Sequence, residues 1–219
     1  MASPRSTPTT SDSSATTFNP GPPGNPRKSR SIRHLGEVDV SELAKAVSAI
    51  PEEVWEAENA AKRNKFENLS TTRHIVFRFV RTYFDWRDSV DMPLWTEWKP
   101  LIEPVLRSAT AAYGYERGGF PRIMLARMAP GGVIHPHHDN APAAAWPHKI
   151  HVPLTTNPDV LFLQEGNSHH LPVGEAFEVN NLDLHGVVNR GSTDRIHLIF
   201  EYYDMDQPEP AWARPRVNA

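Results

Sequence analysis

Residues 160–203 read VLFLQEGNSHHLPVGEAFEVNNLDLHGVVNRGSTDRIHLIFEYY. Short apolar runs, Val160 to Gln164, Glu175 to Val179, Gly186 to Val188 and Arg195 to Tyr203, are separated by turn signals such as Gly166-Asn167-Ser168 and Asn189-Arg190-Gly191. Runs of this length between Gly- and Asn-rich turns are strands rather than helices. Upstream the texture is the same. Arg122 to Met128 and His148 to Leu154 are strand-like, with turns at Pro130-Gly131-Gly132 and Asn157-Pro158-Asp159. Many short strands with frequent turns predict a mainly β domain, a jelly-roll sandwich or small barrel, rather than an α/β sheet.

The front of the chain differs. From Val38 to Ile50 the apolar positions Val40, Leu43, Ala44 and Val47 recur at helical spacing, with Asp39 or Ser41 able to cap the start and Pro51 ending it. A second helix is expected from Glu52 to Lys65 with Trp55 on its buried face. His74 to Phe79 alternates as a half-buried strand does, and Trp95 to Tyr113 is helix-like but interrupted by Pro100 and Pro104. These helices are expected to pack on one outer face of the β structure. The first 30 residues are more than half Ser, Thr and Pro and cannot bury enough apolar surface to order themselves. The organisation expected is a disordered tail over 1–34 and a single domain over 35–219, with a helical front part at 35–115 and a β core at 120–205.

With 23 Lys and Arg against 26 Asp and Glu, there is no overall basic field for nucleic acid or an anionic membrane, and neither is expected as a partner. The absence of Cys excludes disulfides, thiolate metal sites and cysteine nucleophiles. No apolar run approaches the roughly 20 residues that cross a bilayer, so a cytoplasmic protein is expected. The basic tail also suits an organelle-targeting segment, although its prolines oppose the amphipathic helix of such peptides. Signatures of serine hydrolases, P-loop proteins and zincins are missing from the sequence.

Nine of the 11 histidines lie between His135 and His197. In Ile134-His135-Pro136-His137-His138-Asp139, His137 and Asp139 are two apart, so both side chains leave the same face of an extended segment and can grip one ion. His185 is the leading candidate for a third ligand. The three would form a 2-His-1-carboxylate facial triad with three open positions, as in non-haem Fe(II) oxygenases. If the strands around Asn189-Arg190-Gly191 form a hairpin, His185 and Arg195 are near cross-strand neighbours, and the guanidinium is available to a carboxylate ligand near the metal.

The stretch from Met128 to Tyr203 resembles the aspartyl/asparaginyl β-hydroxylase family of Fe(II)/2-oxoglutarate dioxygenases, which includes free-proline hydroxylases. The matching motifs are Pro130-Gly131-Gly132 leading into Pro136-His137-His138-Asp139, Lys149-Ile150-His151-Val152-Pro153-Leu154, Thr156-Asn157, Gly174-Glu175, Asn180 to His185, and Asn189-Arg190-Gly191 through Asp194 to Ile199. The resemblance implies a double-stranded β-helix of cupin-like type. It further implies His137 and His185 as iron ligands beside Asp139, Arg195 on the far carboxylate of 2-oxoglutarate, and His151 helping to hold that cosubstrate. Lys149, which stands where the vertebrate member has Arg, would bind substrate or cosubstrate through charge. The vertebrate peptidyl enzyme has Gly at the position of Asp139, so the full triad here is similar to bacterial members and argues against halogenation, which needs that position vacant.

The activity implied is hydroxylation of a C–H in an amino-acid unit, free or peptidyl, using Fe(II), 2-oxoglutarate and O2. Trp146 and the loop Asp139 to Pro147 would form a wall or lid of the site, or Trp146 simply caps the barrel. Arg73, Arg78, Arg81, Arg117, Arg122 and Arg127 are available cations for a substrate carboxylate or are ordinary surface. Two other classes compete: a cupin-like module that binds a metal or small acid without turnover, and a cosubstrate-free cupin enzyme in which His135 or His197 adds a ligand. The sequence is silent on oligomeric state.

Overall fold

The structure, a computed structural model, describes residues 28, 31–62, 67–139 and 141–207. The strands are β1 (Arg33–Glu37), β2 (Thr72–Val80), β3 (Ser89–Asp91), β4 (Gly118–Gly119), β5 (Ile123–Met128), β6 (Val133–His137), β7 (His148–Thr155), β8 (Val160–Gln164), β9 (Asn167–His169), β10 (Glu175–Val179), β11 (His185–Asn189) and β12 (Arg195–Asp204). The helices are α1 (Ser41–Ser48), α2 (Glu52–Ala61), α3 (Trp95–Thr110) and the short α4 (Pro142–Ala145).

Period-two alternation along β12 sorts its side chains into two environments. Ile196, Leu198, Phe200 and Tyr202 join a core with Ile75 and Phe77 of β2, Ile150 and Val152 of β7, and Leu43, Trp55, Ile102 and Leu106 of α1 to α3. Arg195, His197, Ile199 and Glu201 take the opposite face. The larger sheet runs β1-β10-β7-β12-β5-β2-β3, with β4 also on β12, and the smaller runs β6-β11-β8-β9; every pairing is antiparallel. Met128, Ile134, Val160, Phe162, Val179 and Val187 fill the space between the sheets. This is the mainly β, double-stranded β-helix architecture expected, with α1 to α3 on the outer face of the larger sheet and α4 on its inner side.

Several expectations are corrected. His185 and Arg195 do not face each other across a hairpin. Both edges of β11 are already taken, by β6 and β8, so the chain must leave the small sheet at Asn189 and enter β12 between β5 and β7. Fully buried Asn189 pins that crossing, its amide donating to the carbonyls of Met128 (3.3 Å) and Thr193 (2.9 Å). Pro100 and Pro104 do not interrupt α3, because the two rings lie four residues apart on its solvent face while Ile102, Val105, Leu106 and Ala109 are buried opposite. β2 is buried on both faces rather than one. Arg33 and His34, assigned by composition to the tail, begin β1 on the edge of the larger sheet, where backbone pairing to β10 orders them. The second helix stops at Ala61, and the remainder of its expected span, 63–65, lies outside the described residues, as does nearly all of the tail. Neither Asp39 nor Ser41 is the N-cap of α1, which is Val40 with no side-chain cap, although Asp39 Oδ1 accepts from Ser41 N–H at 2.9 Å.

Candidate active site

His137 ends β6 and His185 begins β11, and the two are register partners in the small sheet. Between them Gly186 permits a close approach: a Cβ there would stand 2.7 Å from the Ile134 carbonyl oxygen. The imidazole centroids are consequently 4.3 Å apart. In each ring Nδ1 lies 2.9 Å from a carbonyl two residues back, that of His135 for His137 and that of Asp183 for His185. A carbonyl can only accept, so both Nδ1 atoms carry protons and both Nε2 atoms present lone pairs. Asp139, just past β6, is fixed by its N–H donating to the Asn181 carbonyl (2.9 Å), and its Oδ1 lies 3.8 Å from His137 Nε2. Ligand atoms of His137, Asp139 and His185 all lie within 4.8 Å of one another, the one such group among the described residues.

The electrostatics suit a cation. Burial opposes ionisation of Asp139, but the Lys149 ammonium, 2.5 Å from Oδ2, and the two imidazoles outweigh it and hold the carboxyl well below the usual carboxylate range. Burial, with the Lys149 charge, lowers His185 to about 4, so no proton competes for its Nε2 at neutral pH. Asn181 Nδ2 donates to Asp139 Oδ2 (3.2 Å) and to the Ala144 carbonyl (3.0 Å), tying the aspartate to the α4 segment. Lys149, expected to hold substrate or cosubstrate through charge, lines the same cavity with its ammonium on Asp139.

These residues line a cavity of about 400 Å³ that runs along the inner face of β12. At its deep end is Arg195, 1% exposed, which burial alone lowers to about 9 and which stays charged at neutral pH. Its Nη2 donates to His197 Nδ1 at 2.7 Å and lies 3.5 Å from His151 Nδ1. Burial, then the Arg195 charge, keeps both imidazoles neutral. Arg195 Nε and Nη1, His151 Nε2 and His197 Nε2 are buried with no hydrogen-bond partner among the described residues. A buried guanidinium with idle donors, backed by neutral imidazoles and with no carboxylate on it, is a receptor for an anion. These residues would therefore suit a cosubstrate carboxylate, and the two imidazoles and the carboxylate of the triad are the donors that would hold a divalent ion.

The other end of the cavity is apolar on one side, with Phe79, Tyr83, Met124 and Ile199, and carries the buried pair Arg122–Glu201 (2.6 Å). Of the six arginines considered for substrate, Arg122 alone lines the cavity. The others pair elsewhere: Arg73 and Arg127 with Glu52, Arg78 with Asp91, Arg81 with Asp88 and Arg117 with Asp206. Asp139, Ala141 and Ala144 form part of the wall, as expected for that loop, whereas Trp146 is not in the lining and stacks on Trp86 at 5.9 Å. His135 is exposed, and His197 supports Arg195, so neither joins the triad. Sequence reasoning missed His74, which lines the cavity, and the Arg122–Glu201 pair, whose members lie 79 positions apart with no local motif to join them.

A double-stranded β-helix that gathers two imidazoles and a carboxylate on one cavity has the donor set of the non-haem oxygenase class of enzyme. Residues 105–204 match the aspartyl/asparaginyl beta-hydroxylase family, which bears out over the β half the resemblance carried by the motifs. Among solved structures, AviO1 from Streptomyces viridochromogenes Tue57 is similar with a TM-score of 0.51 at 13% identity, over 82% of this chain and 92% of that one. The viral collagen prolyl hydroxylase vCPH from Paramecium Bursaria Chlorella virus-1, solved as its 2OG complex, gives 0.50 at 13% identity over 78% and 94%. At these identities the likeness is one of fold. No curated protein matches the chain. No described helix is long and apolar enough to cross a membrane.

Proposed function

We propose that the protein is an Fe(II)- and 2-oxoglutarate-dependent dioxygenase that hydroxylates a C–H bond of an amino-acid unit, free or within a peptide, of aspartyl, asparaginyl or prolyl type. The balance is substrate C–H plus 2-oxoglutarate plus O2 giving substrate C–OH, succinate and CO2. His137, Asp139 and His185 are assigned to the iron, and Arg195 and His151 to the cosubstrate. The observation that carries the reading is Arg195: a buried cation with two idle donors in the same cavity as a His-Asp-His group.

Iron with 2-oxoglutarate and O2 supplies, when bound, the oxidative decarboxylation that powers hydroxylation. The chain's own part is positioning. The carbonyls of His135 and Asp183 keep both imidazoles aimed through Nε2. Lys149 and Asn181 keep Asp139 ionised and oriented. Arg195 anchors the far end of the cosubstrate, with His197 fixing the plane of the guanidinium. Phe79, Tyr83, Met124 and Ile199 give the substrate side an apolar wall.

The test is an anaerobic titration with Fe(II) and 2-oxoglutarate, read by the weak visible charge-transfer band of the chelate. The wild type is expected to show the band, Arg195→Ala to weaken it and Asp139→Ala to disturb it. Succinate release with candidate amino acids and peptides then finds the substrate. A protein that binds metal without ever showing the band overturns the reading in favour of a cupin-like metal or small-acid module.

A further inference from the structure

His74 sits on β2, 3% exposed, and lines the same cavity as Arg195. Its place follows from the register of the larger sheet. His74 pairs with Ala126, and Ala126 pairs with His197, so the three form one row across β2, β5 and β12. The next row holds Thr72, Met128 and Arg195. Strands in a sheet are about 4.8 Å apart, so the backbones at His74 and His197 stand roughly 10 Å from each other. Ala126, which also lines the cavity, stands between them in the row.

The tautomer of His74 is set from outside the cavity. Lys62, at the C-terminal end of α2, brings its ammonium to 3.1 Å from His74 Nδ1. An ammonium can only donate, so Nδ1 accepts and the ring proton resides on Nε2. Burial, then the charges of Lys62, Arg195 and Lys149, lower His74 to about 3, so it is neutral. Its backbone N–H is satisfied by Asn59 Oδ1 at 3.2 Å, and no described residue accepts from Nε2. A fixed N–H is therefore offered to the contents of the cavity, on the far side of Ala126 from His197.

The geometry points to His74 as a further binding residue for the anionic end of the cosubstrate, donating from Nε2–H to a carboxylate oxygen, with Lys62 as the positioning residue that fixes its tautomer. This rests on the 2-oxoglutarate reading above. Arg195 would grip the carboxylate from one strand and His74 from another, so the selectivity for a five-carbon oxo-diacid is shared across β2 and β12.

The experiment is calorimetric titration of 2-oxoglutarate into the Zn(II)-loaded full chain, a redox-inert form that reads binding without turnover. His74→Leu is expected to weaken binding by roughly tenfold or more, the usual effect of losing a hydrogen bond to a charged group. His74→Gln, whose amide N–H reaches the position of Nε2, is expected to stay within about threefold of wild type. In 15N-histidine-labelled protein, the signal lost in His74→Gln identifies the ring. Its Nε2–H pattern should shift on adding 2-oxoglutarate, and Lys62→Met should convert it towards a mixture of tautomers. If the wild type and Arg195→Ala both fail to bind 2-oxoglutarate, the dioxygenase reading fails and this inference with it. If the wild type binds, Arg195→Ala does not, and His74→Leu binds as the wild type does, the role of His74 alone is overturned. Should His74→Leu not fold, an unmoved Nε2 signal in the wild type overturns it equally.

Discussion

His137 and His185 meet face to tilted face across the β6–β11 ladder, 4.3 Å between centroids, and each ring is aimed by a hydrogen bond to the carbonyl two residues before it. Both imidazoles are thus preorganised before any ion arrives, and the ordering cost is met by folding. Replacing either ring by Ala removes a ligand outright. His137→Ala and His185→Ala are each expected to bind Fe(II) at least about 100-fold more weakly than the wild type. Anaerobic competition against a chromophoric chelator measures this, and wild-type affinity in both variants would remove the triad from consideration.

Arg195 predicts a trade between stability and binding. Its guanidinium is desolvated and only partly hydrogen-bonded, so in the ligand-free protein it is a net cost. Arg195→Met keeps the volume without the charge and is expected to stabilise the ligand-free protein by roughly 1–4 kcal/mol. The same substitution should weaken 2-oxoglutarate by about 30-fold or more. Urea unfolding without ligand, set beside a binding titration, reads both. A less stable variant would mean that the idle donors are satisfied in the resting protein.

Much of this was legible in the sequence because it is local. The spacing of His137 and Asp139 is a property of one extended segment, and the alternation in Arg195 to Tyr203 already separates Ile196, Leu198 and Phe200 from Arg195 and His197. What was illegible depends on which strands become neighbours. The hairpin expected between His185 and Arg195 is a sound local inference, overridden because β6 and β8 occupy both edges of β11. His74 looked like the polar face of a half-buried strand, and its meaning appears only when β2 is set two strands from β12. Lys149 is expected from the sequence to act on substrate or cosubstrate through charge, but its contact with Asp139, ten residues earlier, runs across a loop whose path the sequence does not state.

Arg122 and Glu201 form a buried pair at the substrate end, and their energetics should show it. Glu201 is 4% exposed and Arg122 is 6% exposed. Truncating one partner leaves the other charge uncompensated, a loss of about 3–5 kcal/mol, whereas removing both at matched volume is close to neutral. Arg122→Met and Glu201→Leu are each expected to destabilise strongly, and the double variant to recover most of the loss. A double-mutant cycle by urea unfolding measures the coupling. Additive single effects would show that solvent in the cavity already screens the pair.

Glu178 gives the acid dependence of folding. It is 1% exposed on β10, where it accepts from His148 Nδ1 (2.7 Å) and Tyr113 O–H (2.9 Å) and pairs with Arg33 of β1. Burial raises its pKa, but the His148 hydrogen bond and charge, Arg33 and Tyr113 together outweigh burial, so the folded value lies below the ordinary 4.5. A carboxylate with a depressed folded value stabilises in full above its unfolded value, and that stability is lost as pH falls through the folded value. Glu178→Gln is therefore expected to cost roughly 2 kcal/mol near pH 7, the scale of a hydrogen bond to a charged group. The gap from wild type should close as the pH falls below the ordinary 4.5 and the wild type protonates. Urea unfolding of both proteins across that range checks the sign: a gap that widens as the pH falls would mean that burial, not His148 and Arg33, controls this carboxyl.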